Sequence, residues 1–368
     1  MRNNFFRDLC AAILLGLIVL SLGSLPLLAQ ENGPVQPPQS NSPGPAPSPA
    51  PSRPEQAPPP QQQQPPPGGY TISVTVHVVS VDVVVTDNNG NYLTTLTKDN
   101  FRITEDGVPQ TITNFSSGQA PITIVILLEF SQLGGGLFAY NGINWAYEFL
   151  GTLKPSDWVA LETFSMTTEV AVDFTHNRDE IVEALRQMVF PPFHEANMFD
   201  AITETNDRLK DVKGRKAILY IGSGRDTFSK LTYDQTLSKM KETDVVFFGV
   251  SAAGANRFGG QPDSMIYLQA QNELRTFASL TGGRAWFPNF DGEMPSILQD
   301  VAASLRNQYS LAYIPTNRTL DGKYRKLKVD IVAPDGGPLT VLDQRGKKVK
   351  FVVYARAGYT APKSNVGD

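Results

Sequence analysis

The sequence predicts an α/β protein: a doubly wound, mostly parallel sheet inserted in an antiparallel β domain built from the segments on either side of it. Three observations lead there. Between 119 and 315, near-continuous apolar runs such as 122–128 alternate with amphipathic segments, as parallel strands covered by helices on both faces do. On both flanks, 70–118 and 316–361, apolar and polar residues alternate one by one, the mark of half-buried strands. Neither flank is long enough to cover its own apolar face, so the two are expected to share one core.

The elements follow in chain order. Residues 1–29 carry Arg2 and Arg7, then an apolar run from Leu9, then the small-residue boundary Leu27-Leu28-Ala29. That is the layout of a secretory signal. The run is about 20 residues, which is also the length of a membrane span. Cleaved signal and uncleaved anchor are the two readings, and either carries the rest of the chain out of the cytoplasm. The single cysteine, Cys10, lies in this segment, so the body has neither a disulfide framework nor a thiolate metal site. Residues 30–69 are Pro- and Gln-rich, cannot bury a core, and read as an extended, disordered spacer.

From residue 70 β-branched strands begin. Asp87–Asn91 holds an Asn-Gly turn; its glycine comes two places too early for a calcium loop. Asp106-Gly107 marks a second turn. In the α/β part, strands are expected at 122–128, 158–164, 170–174, 216–221 and 245–250, and helices at 137–153, 178–189, 198–210, 233–241, 269–280 and 295–306. Residues 251–264, rich in Gly, Ala and Asn, predict a mobile surface loop. Beyond 316, Leu327, Val329 and Ile331 alternate with Lys326, Lys328 and Asp330, so the basic residues read as a solvent face. Residues 362–368 read as a disordered tail.

Ligands of such a sheet bind beyond the carboxyl ends of its strands. There the run 122–128 delivers Glu129 and Ser131 into a Gly-rich loop. Several chemistries find no support. His194-Glu195 begins an H-E-x-x-H motif, but Met198 stands at the second ligand position. No G-x-S-x-G elbow and no phosphate-binding G-x-x-x-x-G-K-[ST] loop occurs. With a formal net charge of -4, the chain lacks the basic balance of a nucleic-acid binder. It is expected not to be an enzyme.

The α/β block resembles a von Willebrand factor type A domain. The stretches "VVVTDNNGNYLTTLTKDNFRITEDGVPQTITNF" before it and "TGGRAWF", "QYSLAYIP", "DGKYRKLKV" and "ARAGY" after it are similar to secreted bacterial proteins that carry such a domain between β-rich flanks. The resemblance implies a divalent-cation adhesion site with the pattern D-x-S-x-S, a Thr before a helix, and an Asp after the fourth strand. Here Glu129, Ser131 and Leu133 fall on the first element, Ala196, followed by Asn197, on the second, and Ser223 on the third. Only Ser131 matches, so any metal would have Glu129, Ser131 and Ser223 alone, a poor octahedral cage for Mg²⁺. No cofactor is therefore expected.

Together these point to an exported, non-enzymatic module of the periplasm, cell envelope or exterior, binding an extracytoplasmic protein or surface polymer at a degenerate adhesion site. Membrane attachment, if any, would run through the N-terminal segment. The alternatives are a structural or assembly scaffold of the envelope, and a metal-dependent adhesin with unusual ligands.

Overall fold

The computed structural model describes residues 77–118, 120–133, 136–189, 192–251, 265–340 and 348–363. The signal or anchor segment, the proline-rich tract, all but the first residue of the 251–264 insertion and residues 364–368 lie outside the described residues.

Four strands come first: β1 (Val79–Asp87), β2 (Phe101–Glu105), β3 (Val108–Gln110) and β4 (Ile112–Ser117). The α/β part runs β5 (Ile122–Glu129), α1 (Gly136–Leu150), β6 (Trp158–Phe164), β7 (Thr168–Thr175), α2 (Arg178–Gln187), α3 (Met198–Leu209), β8 (Arg215–Gly222), α4 (Tyr233–Glu242), β9 (Val246–Ser251), α5 (Met265–Thr281), β10 (Ala285–Trp286) and α6 (Met294–Arg306). Then follow β11 (Tyr309–Tyr313), β12 (Tyr324–Ile331), β13 (Phe351–Ala355) and β14 (Gly358–Thr360).

The central sheet has the order β10-β9-β8-β5-β6-β7, parallel except for the edge strand β7. This is a doubly wound α/β sheet whose chain reverses direction at β5. All eight residues of β5 are buried, which explains its unbroken apolar run. Its side chains alternate between two cores. Ile122, Ile124, Ile126 and Leu128 join a cluster with residues of α1, α2 and α6, while Val125 and Leu127 join one with residues of α3, α4 and α5. The helices start where local chemistry allows. Asn177 accepts a hydrogen bond from Asp179 N at the head of α2, and Thr232 with Gln235 forms a reciprocal box at the head of α4.

The flanks pair with each other. β1 lies between β11 and β13, with Val81 opposite Leu311 and Val85 opposite Val353. β2 pairs with β12, Ile103 opposite Val329. The two four-stranded sheets, β13-β1-β11-β4 and β14-β12-β2-β3, meet over one cluster that includes Val81, Val83, Phe101, Ile103, Leu311 and Tyr313. The β2–β3 hairpin turns on Asp106 and Gly107, both with positive φ (49° and 84°), a two-residue turn that needs this backbone at both positions.

One boundary is corrected. The α/β block was expected to run to residue 315, but β11 belongs to the antiparallel sheet, between β1 and β4. Its alternating burial explains why: Tyr309, Leu311 and Tyr313 point into the β core while Ser310 and Ala312 do not.

Candidate functional site

The carboxyl ends of β5 and β8 lie side by side, with Leu128 opposite Ile221. The next residues therefore meet across a strand gap. Glu129 is fully buried. One carboxylate oxygen accepts from Ser131 Oγ at 2.8 Å and the other from the Ser223 backbone N–H at 2.6 Å. Ser131 Oγ accepts in turn from Leu133 N at 3.1 Å. The carboxylate thus ties the β5–α1 loop to the β8–α4 loop.

Tyr220, two residues before the end of β8, completes this knot. Its hydroxyl accepts from Gly224 N at 2.9 Å and stands in the field of the Glu129 carboxylate. Gly222 leaves the room for it: a Cβ there would lie 2.2 Å from the Tyr220 hydroxyl oxygen and 2.9 Å from Glu129 Oε2. Burial pushes the Glu129 carboxyl above the usual carboxylate range, against the hydrogen bonds from Ser223 and Ser131 that favour its ionised form. Burial, and next the Glu129 charge, push the Tyr220 hydroxyl well above its ordinary value.

The other expected positions have other employment. Leu133 packs against the core cluster of Val125 and Leu127. Ala196 is fully buried and offers only backbone: its N–H donates to Thr227 Oγ1 at 2.9 Å, and its carbonyl accepts from Thr227 N and Phe228 N at 2.8 and 3.0 Å. Asn197 N donates to Ser165 O at 2.7 Å, and its buried Oδ1 has no hydrogen-bond partner among the described residues. Ser223 Oγ accepts from Arg225 N at 3.2 Å, and Ser223 O accepts from Ser251 Oγ at 2.8 Å. The structure therefore brings Glu129, Ser131 and Ser223 together. It uses Leu133, Ala196 and Asn197 to seat the loops around them.

Sequence reasoning missed Tyr220, Gly222, Asp226 and Thr227. The available signal was a tyrosine followed two residues later by glycine at a strand end. Asp226 Oδ1 accepts from Phe199 N at 3.1 Å and so caps the first turn of α3, where negative charge is favoured. Around this closed knot the surface is uneven and mixed, with two exposed aromatic rings among polar residues. Phe193 and Phe228 are 45% and 47% exposed. Both stand on loops tied to the site, through Gln132 N to Phe193 O (2.7 Å) and Phe228 N to Ala196 O. Phe193 also lines a hollow with Phe130, Phe164 and Met188. A second hollow, between Phe199, Arg225, Tyr233 and Ile266, lies on the other side of the β8–α4 loop.

No family model and no curated protein matches the chain. Solved structures similar to it include an aerotolerance-related membrane protein from Bacteroides fragilis, at 10% identity over 50% of this chain and 98% of that one, with a TM-score of 0.40. They also include proximal thread matrix protein 1 from the mussel byssus, described with a zinc-occupied MIDAS motif, at 12% identity over 51% of this chain and 49% of that one, TM-score 0.39. A third is the von Willebrand factor type A domain of SpRpn10, at 14% identity over 49% of this chain and 93% of that one, TM-score 0.36.

Proposed function

We propose that this chain is an exported, non-enzymatic binding module in which a type-A-like domain is inserted in a β domain made by its two flanks. It binds an extracytoplasmic protein or surface polymer at the loop edge beyond β5 and β8, without a metal. The observation that carries this reading is the pairing of a sealed polar knot with a rim bearing two exposed aromatic rings. Glu129, Ser131 and the Ser223 backbone already satisfy one another, so they offer a substrate or cation little. Phe193 and Phe228, half exposed above them, offer an incoming partner apolar area. Burying a Phe side chain fully is worth about 1.5–3 kcal/mol, and aromatic anchors of this kind dominate protein interfaces.

The donor set supports the metal-free reading. Mg²⁺ demands six oxygens in near-octahedral array at about 2.0–2.1 Å. Both oxygens of Glu129 are engaged with protein donors, and Leu133 and Ala196 carry no side-chain oxygen. The described residues contain no group of three or more His, Cys, Asp or Glu placed to hold a metal.

The test is capture from envelope extracts by the full chain, with Mg²⁺ and with chelator. A partner retained in both conditions, and lost with Phe193→Ser and Phe228→Ser at unchanged Tm, supports the reading. Capture that needs Mg²⁺, or that ignores both substitutions, overturns it.

An envelope scaffold is the second reading, and the tightness of the junction between the two parts favours it. Tyr92, after β1, hydrogen-bonds Asp300 and Ser304 on α6. Arg284 pairs with Asp300 and lies over the rings of Trp286 and Tyr354. A Cβ on Gly282 would come within 2.8 Å of Arg356 N. A scaffold would give no saturable capture at the rim.

A further inference from the structure

A hollow assigned to no role so far lies between the antiparallel sheet and the amino ends of β8 and β9. Its volume is about 570 Å³, within the roughly 300–1,000 Å³ of small-molecule sites, which favour the junctions between domains. One wall is the outer face of the sheet. Val79, Val81 and Val83 of β1 turn into the β core, so Ser80 and Asp82 face the other way. Asp82 is paired with Ser310, and Ser310 with Ser116, giving a polar row across three strands. The other wall carries Arg215, from the start of β8, while Arg356, in the β13–β14 turn, follows directly on the Val83–Ala355 pair of the sheet itself, next to Asp82.

These charged groups are held in place by other partners and act on one another across the space: Asp82 feels both Arg215 and Arg356, and Arg356 feels Asp244. Arg215 donates to the carbonyls of Leu305 and Gln308, at 3.4 and 2.8 Å. Arg356 donates through Nε to Gly358 O at 2.8 Å and through Nη2 to Thr243 O at 3.0 Å. Its Nη1 has no partner among the described residues. Neither guanidinium has a carboxylate within ion-pair distance among the described residues, and Asp244, at the rim, is taken by Lys216 at 2.9 Å. Asp82 accepts from Ser310 Oγ at 2.6 Å through one oxygen, which leaves the other open. A junction built only for packing would close over such a face with apolar side chains, because buried polar groups are costly unless matched. This one keeps two guanidiniums, two carboxylates (Asp82 within and Asp244 at the rim) and three serine hydroxyls around a space that can hold a molecule.

We infer that this cleft binds a small carboxylic acid that also carries an amino or hydroxyl group, its carboxylate taken by Arg356 and Arg215 and its donor by Asp82. A planar guanidinium suits a carboxylate through paired N–H bonds. The Asp82 carboxylate repels a bare anion, and a ligand with a donor at the far end satisfies it. Burial lowers the pKa of both arginines and raises that of Asp82, the penalty that a ligand of this charge pattern relieves.

The experiment is thermal unfolding and titration calorimetry of the full chain with glycine, L-serine, lactate, acetate and ethanolamine, each at millimolar concentration. Glycine, L-serine or lactate should raise Tm saturably. Acetate and ethanolamine, each with half of the pattern, should bind at least about ten-fold more weakly. Asp82→Asn still accepts from Ser310 and should keep the unliganded Tm while erasing the preference for the donor-bearing acids. Arg356→Lys should weaken all the acids about ten-fold or more, since Lys lacks the fork. No saturable effect from any acid on the wild-type chain overturns the inference. So does an effect that survives both substitutions unchanged. The rim variants Phe193→Ser and Phe228→Ser leave this cleft intact, so failure at one site is separable from failure at the other.

Discussion

Replacing Glu129 by alanine removes the acceptor of two buried donors, Ser223 N–H and Ser131 Oγ–H, in a place with no access to water. The Ser131 hydroxyl can turn to another acceptor. The backbone N–H cannot, and an unmet buried donor costs about 1–3 kcal/mol. The vacated side-chain volume adds roughly 1 kcal/mol. Removing a carboxyl that burial disfavours offsets part of this, so the net loss should be about 2–3 kcal/mol. At about 2–4 °C per kcal/mol for a protein of this size, Tm should fall by roughly 4–12 °C. Glutamine is the control. Its amide oxygen can still accept from Ser223 N while its amide nitrogen donates to Ser131 Oγ, so the loss should stay within about 1 kcal/mol. Calorimetric Tm checks the magnitude. Amide exchange at Ser223 and Leu133 checks the place, since both N–H groups hang on this knot and should exchange faster in the alanine variant alone. The reasoning fails if alanine shifts Tm by less than about 1 °C, or if glutamine is as damaging as alanine.

Other outcomes follow from the same structure. Mg²⁺ or Mn²⁺ should leave the Tm of the wild-type chain unchanged, because only a ligand of the native state stabilises it; a saturable rise that Glu129→Ala abolishes would sink the metal-free reading. Glu105 is buried in the β core, pairs with Arg325 at 3.1 Å and accepts from Tyr313 (2.6 Å) and Tyr359 (3.0 Å). Glu105→Ala leaves the buried Arg325 with the carbonyls of Asn317 and Thr319 and the more distant Asp321, and should cost about 3–5 kcal/mol by urea unfolding. Gly283→Ala should leave little soluble protein, because the new Cβ would sit 2.0 Å from the Phe247 carbonyl oxygen, a backbone atom. Burial raises the Asp157 carboxyl, but bonds from Arg306 and from the N–H groups of Lys154 and Ile122 outweigh it and hold the carboxyl below the usual range. Its stabilisation is present above the ordinary carboxylate value and lost as pH falls through the lowered one. Asp157→Asn should be less stable at neutral pH, with a flatter acid limb when stability is plotted from pH 7 to 2.

Local pattern determined much of this protein. The unbroken run of β5 announced a strand buried on both faces, because only a central parallel strand has no wet side. Asp106-Gly107 announced its hairpin, because a two-residue turn needs two residues that accept positive φ. That Leu133 and Ala196 offer no side-chain oxygen was legible from the sequence, since residue type alone decides it. What Glu129 is tied to was not legible. Glu129 reaches Ser223 only because β5 and β8 are neighbours, although 94 residues separate the two in the chain. The Tyr220 hydroxyl and the same carboxylate share their space only because Gly222 lacks a Cβ. The place of β11 was likewise settled by partners more than 190 positions away, whose apolar faces its own alternation had to complete. The cleft holding Asp82, Arg215 and Arg356 joins residues from three distant segments. Periodicity reports which side of an element is buried; only the assembled fold decides against what, because that depends on which faces are left uncovered when the elements meet.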